Sequence, residues 1–126
     1  LRAFGVRVTY EGASRVNPYE AQALSLYVLD GHTLRRVVDD LAVENNTGEW
    51  DGNCAGTFSA ITRTLALGPA NSAGYATLRV GETAKETVSK QTSQDCVSTD
   101  RSLKRTTTTL EYDGTAYRVP KALHYE

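Results

Sequence analysis

Hydrophobic and polar positions alternate with a period of two along most of this chain. In residues 4–10, for example, Phe4, Val6, Val8 and Tyr10 occupy one side of the repeat. An alternation of this kind predicts strands with one face turned toward a core. The predicted strands are residues 4–10, 23–29, 33–38, 58–67, 75–80, 106–112 and 116–119.

Two Asp-Gly pairs separate neighbouring predicted strands. Asp30-Gly31 follows residues 23–29, and Asp113-Gly114 follows residues 106–112. This dipeptide is typical of two-residue hairpin turns, because both central positions of a type I′ turn need a positive φ. We therefore predict an antiparallel hairpin at each pair.

One segment, residues 34–43, allows two interpretations. It continues the strand alternation, but its apolar residues also have the spacing of one helical face. The fold predicted from the pattern is mainly β, an antiparallel meander forming a small barrel or a sandwich, with one short helix as the alternative here. The residues that leave this choice open are Leu34, Val37, Val38 and Leu41.

Size and charge restrict the class of protein. With 126 residues and 40% hydrophobic content, residues 1–126 are expected to form a single domain. The net charge of -1 is spread over interspersed acidic and basic residues, which predicts no nucleic-acid partner. No apolar run approaches the roughly 20 residues that span a bilayer, so no transmembrane segment is expected. The pattern does not indicate an oligomeric state.

The cysteines and the missing methionines favour an exported protein. The chain begins at Leu1 and contains no methionine, which predicts that a signal peptide preceded it and that it is the mature part or a fragment. Cys54 and Cys96 lie in polar segments, as expected of a disulfide, although two free thiols are the alternative. A disulfide predicts a periplasmic or secreted location.

The polar segment at residues 45–56 has the most unusual composition. Glu49, Asp51 and Asn53 place oxygen donors at alternate positions, which suits calcium, although a solvated turn without cofactor is the alternative. Trp50, the single tryptophan, is expected to anchor this segment to the core or to stack on a sugar or a partner.

No catalytic motif is recognisable, and we expect a protein that is not an enzyme. His32 and His124 are predicted to be solvated surface residues. Asp39 and Asp40 are adjacent, and neighbouring side chains in a strand point to opposite faces, so they are not expected to form a carboxylate pair.

The short loop at residues 71–75 carries a family resemblance. Its Ser72, Gly74 and Tyr75 resemble the Ser-Gly-x-x-Tyr inhibitory loop of periplasmic lysozyme inhibitors, with the glycine further along the loop. Those inhibitors, and immunity proteins against secreted peptidoglycan hydrolases, are small exported β proteins. The resemblance implies a protein partner, a peptidoglycan hydrolase, whose cleft receives Ser72 and Tyr75.

Two functions therefore follow from the sequence. The first is an exported inhibitor of a lysozyme-like hydrolase, with Ser72, Gly74, Tyr75 and Trp50 as contact residues. The alternative is a structural or glycan/peptide-binding module of a larger envelope protein. In that case the contacts would come from Trp50 and from four tyrosines, Tyr10, Tyr27, Tyr112 and Tyr117.

Overall fold

The computed structural model describes residues 2–70 and 74–126. This part of the chain contains six β-strands and one short 3-10 helix, Lys121–Leu123. The strands are β1 (Ala3–Glu11), β2 (Tyr19–Asp30), β3 (Thr33–Trp50), β4 (Gly56–Ala70), β5 (Ala76–Gln91) and β6 (Cys96–Leu110).

The strands form one antiparallel sheet in the order of the sequence, β1-β2-β3-β4-β5-β6. The predicted mainly β meander is therefore confirmed. The closed barrel and the two-sheet sandwich are wrong, because the described residues form a single sheet in which β1 and β6 are edges. Because β1 and β6 do not pair with each other, the sheet stays open.

The helical alternative for residues 34–43 is also wrong, because this segment lies within β3. Its pairing with β2 contains register shifts, where an extra residue of β3 bulges from the ladder. Bulges break a strict period of two, and this explains why the apolar residues approached helical spacing. The predicted hairpin between β2 and β3 is confirmed, but Asp30 pairs with Thr33, so its two turn residues are Gly31, at φ 63°, and His32.

Two polar segments outside the predicted strands are largely strand. β3 continues to Trp50, so only residues 51–55 of the polar segment 45–56 connect it to β4. In the polar stretch 81–101, β5 continues to Gln91 and β6 begins at Cys96. Their polar side chains pair across the ladder, for example in the Ser89–Ser98 hydroxyl contact of 2.8 Å. Cross-strand polar pairs stabilise a sheet without apolar alternation.

Most of the core cluster lies toward one end of the sheet, which we call the core end (residues 24–43, 65–70, 74–80 and 108–125). Leu41, Val38 and Val80 are fully buried there, together with Leu110. The cluster combines residues of β2 and β3 with residues of β5 and β6. Strands that are not neighbours share this core, so the sheet bends around it.

The segment after β6 covers the core end. β3 pairs with β4 only through residues 44–50, and the C-terminal segment lies beside residues 37–41 instead. The Tyr117 amide donates to the Val37 carbonyl at 2.7 Å, and His124 forms a bridge with Leu41. At the Asp113-Gly114 turn, the predicted second hairpin is reduced to one bridge between Tyr112 and Tyr117.

The opposite end of the sheet is polar, and we call it the disulfide end (residues 11–20, 44–62 and 84–102). Its strands are mostly half-buried or exposed. Cys54 and Ser89 are its buried residues, at 4% and 8% exposure. This end therefore depends less on apolar burial than the core end does.

Candidate functional site

The predicted disulfide is present, and it lies at the disulfide end of the sheet. Cys54 and Cys96 are joined with their Cα atoms 5.7 Å apart. Cys54 lies in the connection between β3 and β4, whereas Cys96 is the first residue of β6. The bond thus links segments on either side of the β4–β5 pair and limits the movement of these strands.

Trp50 fastens the connection between β1 and β2 to the end of β3. Its indole N–H donates to the Arg15 carbonyl at 2.6 Å, and its backbone N–H donates to the Val16 carbonyl at 3.0 Å. Its ring lies 6.1 Å from that of Phe58, at a tilt of 59°. These contacts support the anchoring role, and stacking on a sugar stays a prediction.

The three candidate calcium ligands lie beside Trp50, at the end of β3 and in the connection to β4. The Asp51 carboxylate accepts the backbone N–H groups of Asn53 and Cys54, both at 2.8 Å. These bonds lower the pKa of Asp51. Glu49 is exposed near the end of β3. Asp51 therefore caps a tight turn, and calcium binding by Glu49, Asp51 and Asn53 stays a prediction.

The residues of the family resemblance lie at the β4–β5 connection. Ser72 is outside the described residues, and Gly74 is exposed with φ 81°. The Tyr75 ring stacks on that of Tyr112 with centroids 3.7 Å apart, and its hydroxyl accepts a hydrogen bond from Arg35 at 3.0 Å. Tyr75 is thus an anchor of the core end, and its role in binding a partner stays a prediction.

Arg35 holds together an aromatic cluster that sequence reasoning missed. Its guanidinium donates to Tyr75 and to the Tyr112 hydroxyl, at 2.7 Å for the latter. Hydrogen bonds to these two tyrosines raise the pKa of Arg35. Tyr117 completes the cluster with its ring edge toward Tyr112, and burial raises its pKa. Two of the four tyrosines proposed as ligand contacts therefore lie in the core.

An open groove of about 490 Å³ crosses the disulfide end. This volume lies within the range of roughly 300–1,000 Å³ that small-molecule sites occupy. Segments from β1 to β5 line it, and its exposed surface combines a larger apolar part with a smaller polar part. Apart from the Tyr19 phenol, the polar side chains that line it are Glu11, Ser14, Glu20, Asn46, Thr47, Ser59 and Thr87.

The strand register brings the two carboxylates of the groove together. Glu11 lies opposite Glu20 in the β1–β2 ladder, and Glu20 lies opposite Asn46 in the β2–β3 ladder. Asn46 in turn pairs with Ala60 of β4. Residues directly opposite in antiparallel strands share a face. This row therefore presents two acids, an amide and a small residue on one surface.

Gly48 shapes the apolar part of the groove. It pairs with Phe58, and a Cβ added to Gly48 would lie 2.6 Å from the Phe58 ring and 3.1 Å from Pro18. Only glycine allows the ring to lie this close to the strand. Phe58, Pro18 and Tyr19 thus add apolar surface beside the polar row.

The two histidines differ in their surroundings. His32 is exposed at the β2–β3 turn, as predicted. His124 is half-buried, and its Nε2 lies 3.2 Å from Oδ2 of Asp39. This hydrogen bond raises the pKa of His124, and bonds from Arg36 and His124 lower the pKa of Asp39. His124 therefore lies at the surface, as predicted, but unlike His32 it has a fixed partner in Asp39.

Sequence reasoning missed the groove because its residues come from five separate strands. One signal was present: Gly48, within a segment otherwise compatible with a strand, indicates a close approach of another group. The pairing of Glu11 with Glu20 depends on the register of β1 and β2, which the alternation alone does not specify.

Comparison with known proteins finds no relative: no family model matches this chain, and no curated protein or solved structure matches it. In residues 2–70 and 74–126, no helix has the length and apolarity needed to cross a membrane.

Proposed function

We propose that this protein is an exported, non-catalytic binding domain whose groove at the disulfide end takes a segment of a polar polymer, a glycan chain or an extended peptide. One observation carries this proposal. An open groove of suitable volume combines apolar ring surface with side chains that accept or donate hydrogen bonds.

The chemistry of the groove supports a ligand rich in hydroxyl or amide groups. Glu11 and Glu20 are hydrogen-bond acceptors, whereas Asn46 and Thr47 both donate and accept. Phe58 offers an apolar ring, a surface against which sugar rings and peptide side chains pack. A few polar groups beside apolar surface are the usual composition of a binding pocket.

The negative charges of Glu11 and Glu20 are not offset by an ion pair within the described part of the chain. Like charges directly opposite each other in a sheet are destabilising. A ligand that donates hydrogen bonds to both carboxylates would relieve their repulsion.

The disulfide supports the exported location. Disulfides persist mainly in oxidising compartments such as the periplasm and the extracellular space. Cys54 and Cys96 are bonded to each other, and no cysteine is free. A binding domain in that environment would meet cell-wall glycans and their peptide stems.

The proposal is tested by NMR titration of the oxidised protein with soluble peptidoglycan fragments, neutral oligosaccharides and short polar peptides. We expect the amide signals lining the groove to shift for at least one of these classes. The double substitution Glu11→Gln and Glu20→Gln should weaken the binding roughly tenfold, since it removes two charge-assisted acceptors.

A matched control is Glu111→Gln, which removes an exposed carboxylate outside the groove. It should bind as the unchanged protein does. The proposal is wrong if none of the three classes shifts the groove signals, or if the double and control substitutions weaken binding equally.

A second candidate is inhibition of a lysozyme-like peptidoglycan hydrolase by the β4–β5 hairpin. The specific observation is the shape of this hairpin. β4 and β5 pair as far as Ala70 and Ala76, Leu67 is 77% exposed, and Gly74 is exposed at the connection. We propose in this case that the hairpin tip, with Ser72, enters the cleft of the hydrolase.

This candidate is tested with a panel of lysozymes and secreted muramidases. If the tip is inhibitory, Ser72→Ala and Leu67→Ser should each raise the inhibitory concentration roughly tenfold, as contact residues of an interface do. Leu29→Ser is the control, because Leu29 is 62% exposed at a different hairpin. Absence of inhibition across the panel would leave the groove as the candidate site.

A further inference from the structure

Two adjacent carboxylates of β3, Asp39 and Asp40, come close together because of a bulge. In the β2–β3 ladder, Leu24 pairs with Leu41 and Leu26 pairs with Val38. Asp39 and Asp40 therefore both lie opposite the single residue between those two positions of β2, Ser25. A bulge of this kind redirects side chains out of the regular alternation.

The backbone of Asp40 shows how the alternation is broken. Asp40 has φ 44°, a left-handed conformation that few residues other than glycine adopt and that aspartate tolerates better than most. The expectation that the two aspartates point to opposite faces is therefore wrong at this position. Strict alternation holds only where each residue of a strand has one partner.

The C-terminal segment supplies a third donor. The Tyr125 backbone N–H donates to the Asp40 carbonyl at 2.8 Å, and His124 bridges to Leu41. This pairing places Nε2 of His124 3.2 Å from Oδ2 of Asp39. Donor atoms of Asp39, Asp40 and His124 all lie within 4.8 Å of one another.

Surrounding groups orient both carboxylates. The Ser25 hydroxyl donates to Oδ1 of Asp40 at 3.1 Å, and Ser25 is only 5% exposed. Arg36 donates to Oδ1 of Asp39 at 2.6 Å, which leaves Oδ2 toward His124. Partners of this kind hold metal ligands in place and are part of most metal sites.

We propose that Asp39, Asp40 and His124 form a binding site for a divalent transition-metal ion of the Zn²⁺ class. Two carboxylates and an imidazole are a donor set that suits such ions. Donors bound at about 2.0 Å to a tetrahedral ion lie about 3.3 Å apart, close to the separation of the Asp39 and His124 donor atoms. Three protein ligands leave a fourth position for water or a ligand.

The site would tie the end of the chain to β3. His124 belongs to the C-terminal segment, whereas both aspartates belong to the third strand. Tyr125 stacks on Tyr10 of β1, with ring centroids 4.2 Å apart. A bound ion would therefore fasten the segment that covers the core end.

The test is a Zn²⁺ titration of the full chain, kept oxidised so that no thiolate competes and carrying no histidine tag. The chain has only two histidines, so their ring signals in a long-range ¹H–¹⁵N spectrum report the site directly. We expect one ion per chain, a shift of the His124 signals and none of the His32 signals.

Matched substitutions complete the test. His124→Ala should weaken Zn²⁺ binding at least about tenfold, as loss of a metal ligand does, whereas His32→Ala should not change it. Asp39→Asn is a second variant that keeps His124 and the C-terminal segment in place, and it should also weaken binding. The proposal is overturned if His32 shifts instead, if no ion binds, or if His124→Ala binds Zn²⁺ as before.

Discussion

The core end and the disulfide end contain parts of the same strands, but their side chains differ in burial. At the core end, Val38, Leu41 and Val80 are fully buried, and Tyr112 and Tyr117 close the cluster. At the disulfide end, β5 and β6 carry mainly threonine, serine and charged residues, most of them exposed or half-buried.

The difference shows that one sheet can be stabilised in two ways. Apolar burial contributes about 25 cal/mol per Å² removed from water, and this contribution is concentrated at the core end. Exposed ion pairs such as Lys85–Asp100, at 3.7 Å, contribute little. The disulfide end therefore depends on the covalent bond and on the Trp50 anchor, and its surface stays free for a groove.

The largest expected effect comes from removing the disulfide. Cys54 and Cys96 are separated by 42 residues, and closing a loop of this length stabilises the native state by about 4 kcal/mol on the chain-entropy model. We expect the double substitution Cys54→Ala and Cys96→Ala to lower the free energy of unfolding by up to this amount, measured by guanidinium denaturation.

Hydrogen exchange would locate the effect of this substitution. Amides of residues 84–102 should lose more protection than those near Leu41 and Val80, because local opening of the disulfide end adds to the loss of global stability that both ends share. Equal loss of protection at both ends would contradict the proposed division of the sheet.

The next effect is expected from a cavity at the core end. Leu41→Ala removes a fully buried side chain and should lower the free energy of unfolding by about 3 kcal/mol, within the range seen for buried leucines. Leu67→Ala is the control, since its side chain is 77% exposed and the change should stay within about 0.5 kcal/mol. Similar losses for both variants, measured in urea, would show that Leu41 is not part of the core.

The two ends also differ in how well the sequence predicts them. At the core end, alternation of apolar residues indicated the strands that contain Leu24, Leu65 and Leu78. At the disulfide end, residues 81–91 have no apolar alternation, because neither face of these strands meets a large core. The pattern that predicts strands is a pattern of burial, so polar strands escape it.

The candidate sites were harder to predict than the strands for a related reason. The disulfide was predicted correctly, since both cysteines lie in polar segments. The groove and the Asp39–Asp40–His124 cluster depend on register, and one bulge at Asp40 reverses the expected direction of a side chain. Nothing in the local sequence distinguishes this aspartate from its neighbour.

The smallest expected effect is on stability in acid. It compares one turn aspartate at the disulfide end with one at the core end. Asp51, beside Cys54, accepts two backbone N–H groups, and these bonds lower its pKa. Asp113, at the core end, accepts the backbone N–H groups of Ala116 and Thr115, which lower its pKa in the same way. A carboxyl group whose folded-state pKa is depressed contributes stability above its unfolded pKa. This contribution is lost as the pH falls through the folded pKa.

Stability should therefore decrease below about pH 4, where an unperturbed aspartate begins to bind its proton. Asp51→Asn and Asp113→Asn preserve the turn acceptor but remove the titrating group, so each should flatten the decrease between pH 7 and pH 3 in urea denaturation. Asp95→Asn is the control, because Asp95 takes part in its turn through its backbone N–H, which donates to the Thr92 hydroxyl, and its carbonyl, which accepts the Thr92 backbone N–H. If neither turn variant differs from this control, the two carboxylates do not contribute to stability through their backbone hydrogen bonds. A difference at Asp51 alone would assign the acid sensitivity to the disulfide end.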